Sequence, residues 1–149
     1  FNEAERLVLS ALDKNIRVFG YKNDIIAEDY YYLAKLAKKR NDKEKMVAFI
    51  TRALHSASYD KSNLDDVIAP YQALNVLGLM GDWYMDDYKK TNNTKTLEEK
   101  FELIDQEIAL IKYIQKIFST DQSKINFANE YRIVFEKGIH TCWILYHDS

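Results

Sequence analysis

The sequence predicts an all-α fold, and three observations carry that expectation. Apolar residues recur at spacings of three and four almost throughout, the period of one helix face. Alternation with period two, the signature of a half-buried strand, is nearly absent. Glycine (4) and proline (1) are scarce among 149 residues, so most of the punctuation that short strands and hairpins need is missing.

Each element is set by its stripe and its ends. A first helix from Asn2 to Phe19 carries Leu7, Leu12, Ile16 and Phe19 inward, and Gly20 suits the left-handed residue that closes a helix. A second, from Asp24 to Arg40, turns Ile26, Tyr30, Leu33, Ala34 and Ala37 inward. "RND" is the turn to a third, from about Asp42 to Ala57, with Met46, Phe49, Ile50, Ala53 and Leu54 inward. "SYDKSN" is the next loop, in which Asp60 or Asn63 is placed to cap the fourth helix. That fourth helix runs from about Leu64 to Lys90 with Pro70 in its first turns. "TNNTKT" reads as a turn, and Thr96 with Glu99 forms a capping-box pattern. The fifth helix, about Leu97 to Phe118, repeats Leu97, Phe101, Ile104, Ile108, Ile111 and Phe118 like a heptad, and Ser119 or Thr120 closes it. The sixth, about Gln122 to Tyr146, carries Ile125, Ala128, Phe135, Ile139, Cys142 and Tyr146. About six helices joined by short loops, the last two to three long, imply antiparallel neighbours.

Composition narrows function. Lys and Arg number 21 against 23 Asp and Glu, a net charge of −2, which argues against nucleic-acid and membrane-surface partners. No apolar run approaches the ~18 residues a membrane span needs. The single Cys142 has no partner for an internal disulfide and reads as a buried structural thiol. A cytoplasmic setting is the expectation. The chain opens at Phe1, which suggests a piece of a longer protein, with one helical-repeat domain over 1–149: repeat hairpins over 1–60 and longer helices packed on them over 61–149.

Internal repetition is present. Ala11-Leu12 and Ala53-Leu54, each late in a helix and followed by a loop, recur about 42 residues apart. Within the second and third helices, Tyr30, Leu33, Ala34 and Ala37, then Met46, Ile50 and Ala53, stand at the spacing of W-x2-L-G-x2-Y and A-x3-F. Small Ala34 and Ala53 let two helices approach, and bulky Tyr30 and Leu33 fill the gap to the next hairpin. Asn41-Asp42 occupies the usual Gly-Asp turn. Met46, Ala37 and Ser58 depart from the usual Ala, Tyr and closing Pro. "LNVLGLMGDWY" gives a poorer second start at Leu77, Met80, Gly81 and Tyr84.

This pattern resembles the tetratricopeptide repeat, and the step with "VFGYKND" between repeats is similar to the longer variant in kinesin light chains. The resemblance implies antiparallel hairpins stacked in a right-handed solenoid, with Tyr30, Leu33, Ala34, Met46, Ile50 and Ala53 as repeat-packing residues. The second half resembles the helical region that precedes the caspase-like domain in CHAT-family proteins, through Ser123-Lys124 and Phe135-Glu136-Lys137-Gly138-Ile139. That resemblance implies a protease whose catalytic His and Cys lie beyond Ser149.

Spacing decides among the chemistry-bearing residues. On a helix His140 and His147 share a face but stand ~10 Å apart, too far for one zinc, and Cys142 points ~200° from His140. Asp86-Asp87 and Glu98-Glu99 lack the Glu-x-x-His motifs of a di-iron bundle and read as a solvated face and an acidic first turn. Gly78 and Gly81 fall inside a helix and suggest close packing. Asn92-Asn93-Thr94 fits a glycosylation sequon. The expectation is therefore a non-catalytic scaffold without cofactor or metal. The tetratricopeptide resemblance implies a concave groove lined by the first helix of each hairpin, which would place Tyr31, Lys35, Lys38 and Lys39 to bind a protein or peptide partner, preferably acidic or C-terminal. A plainer reading gives Lys38-Lys39-Arg40 to the helix C-terminus as favourable charge. The alternative function is the regulatory arm of a larger enzyme or regulator: a CHAT-type protease, a signalling kinase or a transcription regulator.

Overall fold

The computed structural model describes residues 2–117 and 121–148, with the side chains of 121–128, 130, 131 and 148 excepted. Among the described residues there are six α-helices, one 3-10 turn and no strand. The helices are α1 (Asn2–Phe19), α2 (Asp24–Lys39), α3 (Lys43–Ser56), α4 (Pro70–Thr91), α5 (Thr94–Ile117) and α6 (Asp121–Asp148), and the 3-10 turn is Leu64–Asp66. Two compact units form, Phe1–Val76 and Leu77–Ser149. The last expected helix contacts, Phe118, Ser119, Thr120, Ile125 and Ala128, and the Ser123-Lys124 pair lie outside the described residues or side chains.

In the first unit α2 and α3 form a hairpin, and the turn between them is made by three residues in three roles. Arg40 ends α2. Asn41 adopts φ 58°, and its N–H donates to the Lys38 carbonyl at 3.0 Å. The Asp42 N–H reaches back to Ala37 at 2.9 Å, which completes a Schellman closure. Asp42 then caps α3, its Oδ1 accepting from the Lys45 N–H at 3.1 Å. The seam between the two helices buries Tyr30, Leu33, Ala34, Ala37, Met46, Ile50 and Ala53. Full burial of a side chain such as Leu33 or Met46 contributes about 2 kcal/mol. Phe49 stacks on Tyr30 with ring centroids 6.4 Å apart.

α1 packs antiparallel on α2 through polar contacts at both ends. The Arg40 guanidinium bonds Glu5 and, at 3.1 Å, Asn2 Oδ1, while Asn15 Nδ2 donates to Asp29 Oδ2 at 2.8 Å. The apolar stripe expected on α1 is corrected here. Leu12 is buried, but Leu7 (58%) and Phe19 (47%) are exposed, because the packing of this helix on α2 covers only part of its apolar arc.

α3 closes with the same device as α2. Ser58 takes φ 53°, its N–H bonds the His55 carbonyl, and the Tyr59 N–H bonds the Leu54 carbonyl, each at 3.0 Å. The start expected for the fourth helix is also corrected. Leu64–Asp66 is a separate 3-10 turn, and α4 begins at Pro70 itself. Proline is favoured as the first helical residue, since its missing N–H has no intrahelical acceptor there. Neither Asn63 nor Asp60 caps α4: Asp60 Oδ1 accepts from Ser62 N, and Asn63 Nδ2 donates to Asp66.

In the second unit α5 and α6 pack together. α5 starts at Thr94, earlier than the capping-box pattern suggested. Asn93 Oδ1 accepts from Lys95 N at 3.1 Å, and Thr96 is buried, with its hydroxyl donating to Asp87. Asn92, at φ 55°, makes the turn. The buried line of α5 runs Leu97, Lys100, Ile104, Glu107, Ile111 and Ile114, a strict heptad seam in which two of the six positions are charged.

Candidate functional site

Three arrangements carry chemistry, two in the first unit and one in the second. The residues expected to line a groove sit on α2. Lys35 Nζ lies 5.4 Å from the Tyr31 ring centroid and 5.8 Å from that of Tyr32. The two rings are 5.8 Å apart, and the Tyr32 hydroxyl donates to Glu28 Oε1 at 3.4 Å. Helical spacing explains the cluster, because residues four apart share a face and neighbours diverge by ~100°. Tyr30 goes into the hairpin, Tyr31 lies at its border, and Tyr32 stands outside. Lys38, half-buried, and Lys39, exposed, continue along the helix. Arg40 does not join them, being held by Glu5. Tyr32 belongs to the cluster although spacing alone did not single it out.

A second arrangement is new with the structure. A cleft of about 670 Å³ opens in the first unit, walled by Ile16 of α1, Tyr21 of the following loop and Tyr30 of α2. Thr51, Arg52, His55 and Ser56 line it from α3. The Arg52 guanidinium stands 6.0 Å from the Tyr30 ring centroid. His55 also borders a smaller cleft of about 460 Å³ with Lys22, Ser58, Tyr59, Asp60 and Asp66. Burial, and secondarily Asp60, pushes the Tyr59 hydroxyl up to about 12. The signal was the pair Arg52 and His55 one turn apart on the outer face of α3, visible in sequence but uninformative until α1 supplies the opposite wall.

The third arrangement is the charged part of the α5 seam. Lys100 Nζ donates to the Gly81 carbonyl at 3.0 Å in a buried setting. Burial holds the Lys100 ammonium below the ordinary lysine range, against the opposing pull of Asp82. Asp82 in turn meets Lys137 Nζ at 3.3 Å. Gly78 and Gly81 face this charge cluster: a Cβ there would stand 3.8–3.9 Å from Glu107 or Lys100 side-chain atoms, an ordinary contact. These glycines are therefore not the close-packing residues the sequence suggested. Gly138 is, since a Cβ there would lie 3.3 Å from Ile104 Cγ2.

The C-terminal "HTCWILYH" stretch is spread around α6. Trp143 and His147 lie in ring contact at 4.2 Å, and Cys142 is exposed, which corrects the expectation of a buried thiol: it stands beside the line of Val134 and Thr141 that α6 buries, not on it. Among the described residues no three His, Cys, Asp or Glu side chains gather as a metal site, and no helix is long and apolar enough to cross a membrane. No protein-family model matches this chain, and neither curated proteins nor solved structures give a match.

Proposed function

We propose that this chain is a non-catalytic protein-interaction module of the tetratricopeptide kind, acting in the cytoplasm, and that it receives an acidic peptide on the face of α2. The observation that carries this reading is the Lys35 ammonium set against the rings of Tyr31 and Tyr32, with Lys38 and Lys39 in the following turns. Packing of the α2–α3 seam fixes the backbone beneath these side chains, so the face is held in place before a partner arrives. Aromatic rings supply contact area at small entropic cost, and lysines supply charge for carboxylates.

The test is fluorescence anisotropy with a labelled acidic heptapeptide of Asp, Glu and Leu. Tyr31→Ala with Lys35→Glu is expected to weaken binding at least tenfold, about 1.4 kcal/mol, with an unchanged circular dichroism spectrum. Equal affinity in the variant and the parent would remove the proposal.

The second reading makes the same module the regulatory arm of a larger enzyme or regulator, such as a CHAT-type protease. It draws on Gly138, whose contact with Ile104 gives a packing reason for a small residue in the Phe135–Ile139 segment. Mass analysis of the native protein for sequence beyond Ser149 decides between an arm and a free-standing adaptor.

A further inference from the structure

We infer that the cleft between α1 and α3 is a separate binding site for a small organic anion: a carboxylate on a short aromatic body. Its volume of about 670 Å³ falls within the ~300–1,000 Å³ of small-molecule sites. Its lining has one sign of charge. Arg52 is a permanent cation, His55 adds a ring N–H one turn along α3, and none of the lining residues is acidic. Arg52 has no carboxylate partner among the described residues, and its Cζ stands 6.0 Å from the Tyr30 ring centroid. Its fork of N–H donors therefore remains available for a carboxylate, which it can take bidentately.

The opposite wall sets the rest of the ligand. Ile16 and Tyr21 offer an aliphatic and an aromatic surface, which suit a flat apolar body rather than a sugar or a polyphosphate. Thr51 narrows the hydrogen-bonding further. Its hydroxyl already donates to the Val47 carbonyl at 2.9 Å, which leaves Arg52 and His55 as the cleft's nitrogen donors for the anion. This site is independent of the α2 face. Tyr30 points into the hairpin and Lys35, five residues on, lies ~140° around the helix, so the two surfaces can be altered separately.

The experiment is a calorimetric titration of the intact chain with 3-phenylpropanoate and with its neutral isostere 3-phenylpropanamide. Saturable binding of the acid is expected, with the amide at least tenfold weaker. Arg52→Gln is expected to weaken the acid at least tenfold, and Thr51→Trp, which fills the cleft from an exposed position, to abolish binding. Lys35→Glu is expected to leave it unchanged. Circular dichroism and thermal melting establish that each variant is folded. The inference is overturned by equal affinity for acid and amide, by an unaffected Arg52→Gln or Thr51→Trp, by absence of saturation, or by binding only when the carboxylate belongs to a longer peptide.

Discussion

Ser58 stands where the repeat pattern calls for proline, and its φ of 53° explains the departure. Proline is locked near −65°, so it has no place at a left-handed helix closure. Ser58→Gly is expected to raise stability by about 1 kcal/mol, since glycine adopts that region without the Cβ penalty. Ser58→Pro is expected to cost about 3 kcal/mol or more. Urea denaturation at neutral pH measures both, and a stabilised proline variant would contradict the closure described. The closure of α2 was legible, because Arg-Asn-Asp is a polar break between two apolar stripes and Asn tolerates positive φ. The same closure at Ser58 was not, since serine carries no strong signal for it. Lys100 and Glu107 were hidden for a related reason. Both occupy heptad positions of α5, yet charged residues are normally assigned to the solvent face.

Among the elements, the α2–α3 seam was the most readable. Tyr30, Leu33, Ala34, Met46, Ile50 and Ala53 share the helical spacing that the structure buries. Enlarging one of its small members tests how closely the helices meet: Ala34→Leu is expected to cost about 1–3 kcal/mol through overpacking. The glycines separate by the same logic. Gly78→Ala is expected to be neutral or to stabilise α4 by up to about 1 kcal/mol, because the new methyl meets only ordinary contacts. Gly138→Val is expected to destabilise the α5–α6 packing, because its Cβ already crowds Ile104. Chemical denaturation of the variants checks these signs together, and a destabilised Gly78→Ala beside a neutral Gly138→Val would reverse the assignment. The start of α4 was misjudged because an apolar residue, Leu64, precedes Pro70 at a helical distance, and spacing cannot show that the chain is redirected between them. The α1–α3 cleft was not legible for a deeper reason: its walls come from segments far apart in sequence.

For the whole molecule, alkaline pH sets two groups against each other. The Lys100 ammonium is held below its ordinary value near 10.5, so approaching that pH the unfolded chain binds more protons, and this group's contribution to stability rises with pH. Tyr59 titrates at about 12 instead of 10.0, so its contribution is present below pH 10.0 and is lost as pH climbs through about 12. Lys100→Met is expected to flatten the first slope and Tyr59→Phe the second, as read from unfolding free energies at a series of alkaline pH values. A parent-like slope in either variant would show that the group named is not responsible. With 21 basic and 23 acidic residues, the chain has no large net field to steer a partner, so the proposed recognition rests on a local cluster, the α2 face.

That local recognition is the central claim, and amide-resolved NMR titration with the acidic heptapeptide tests it most directly. Saturable shifts concentrated at residues 31–39, weakening as salt is added, are the expected result. Shifts confined to α6, or no saturable shifts at all, would contradict it.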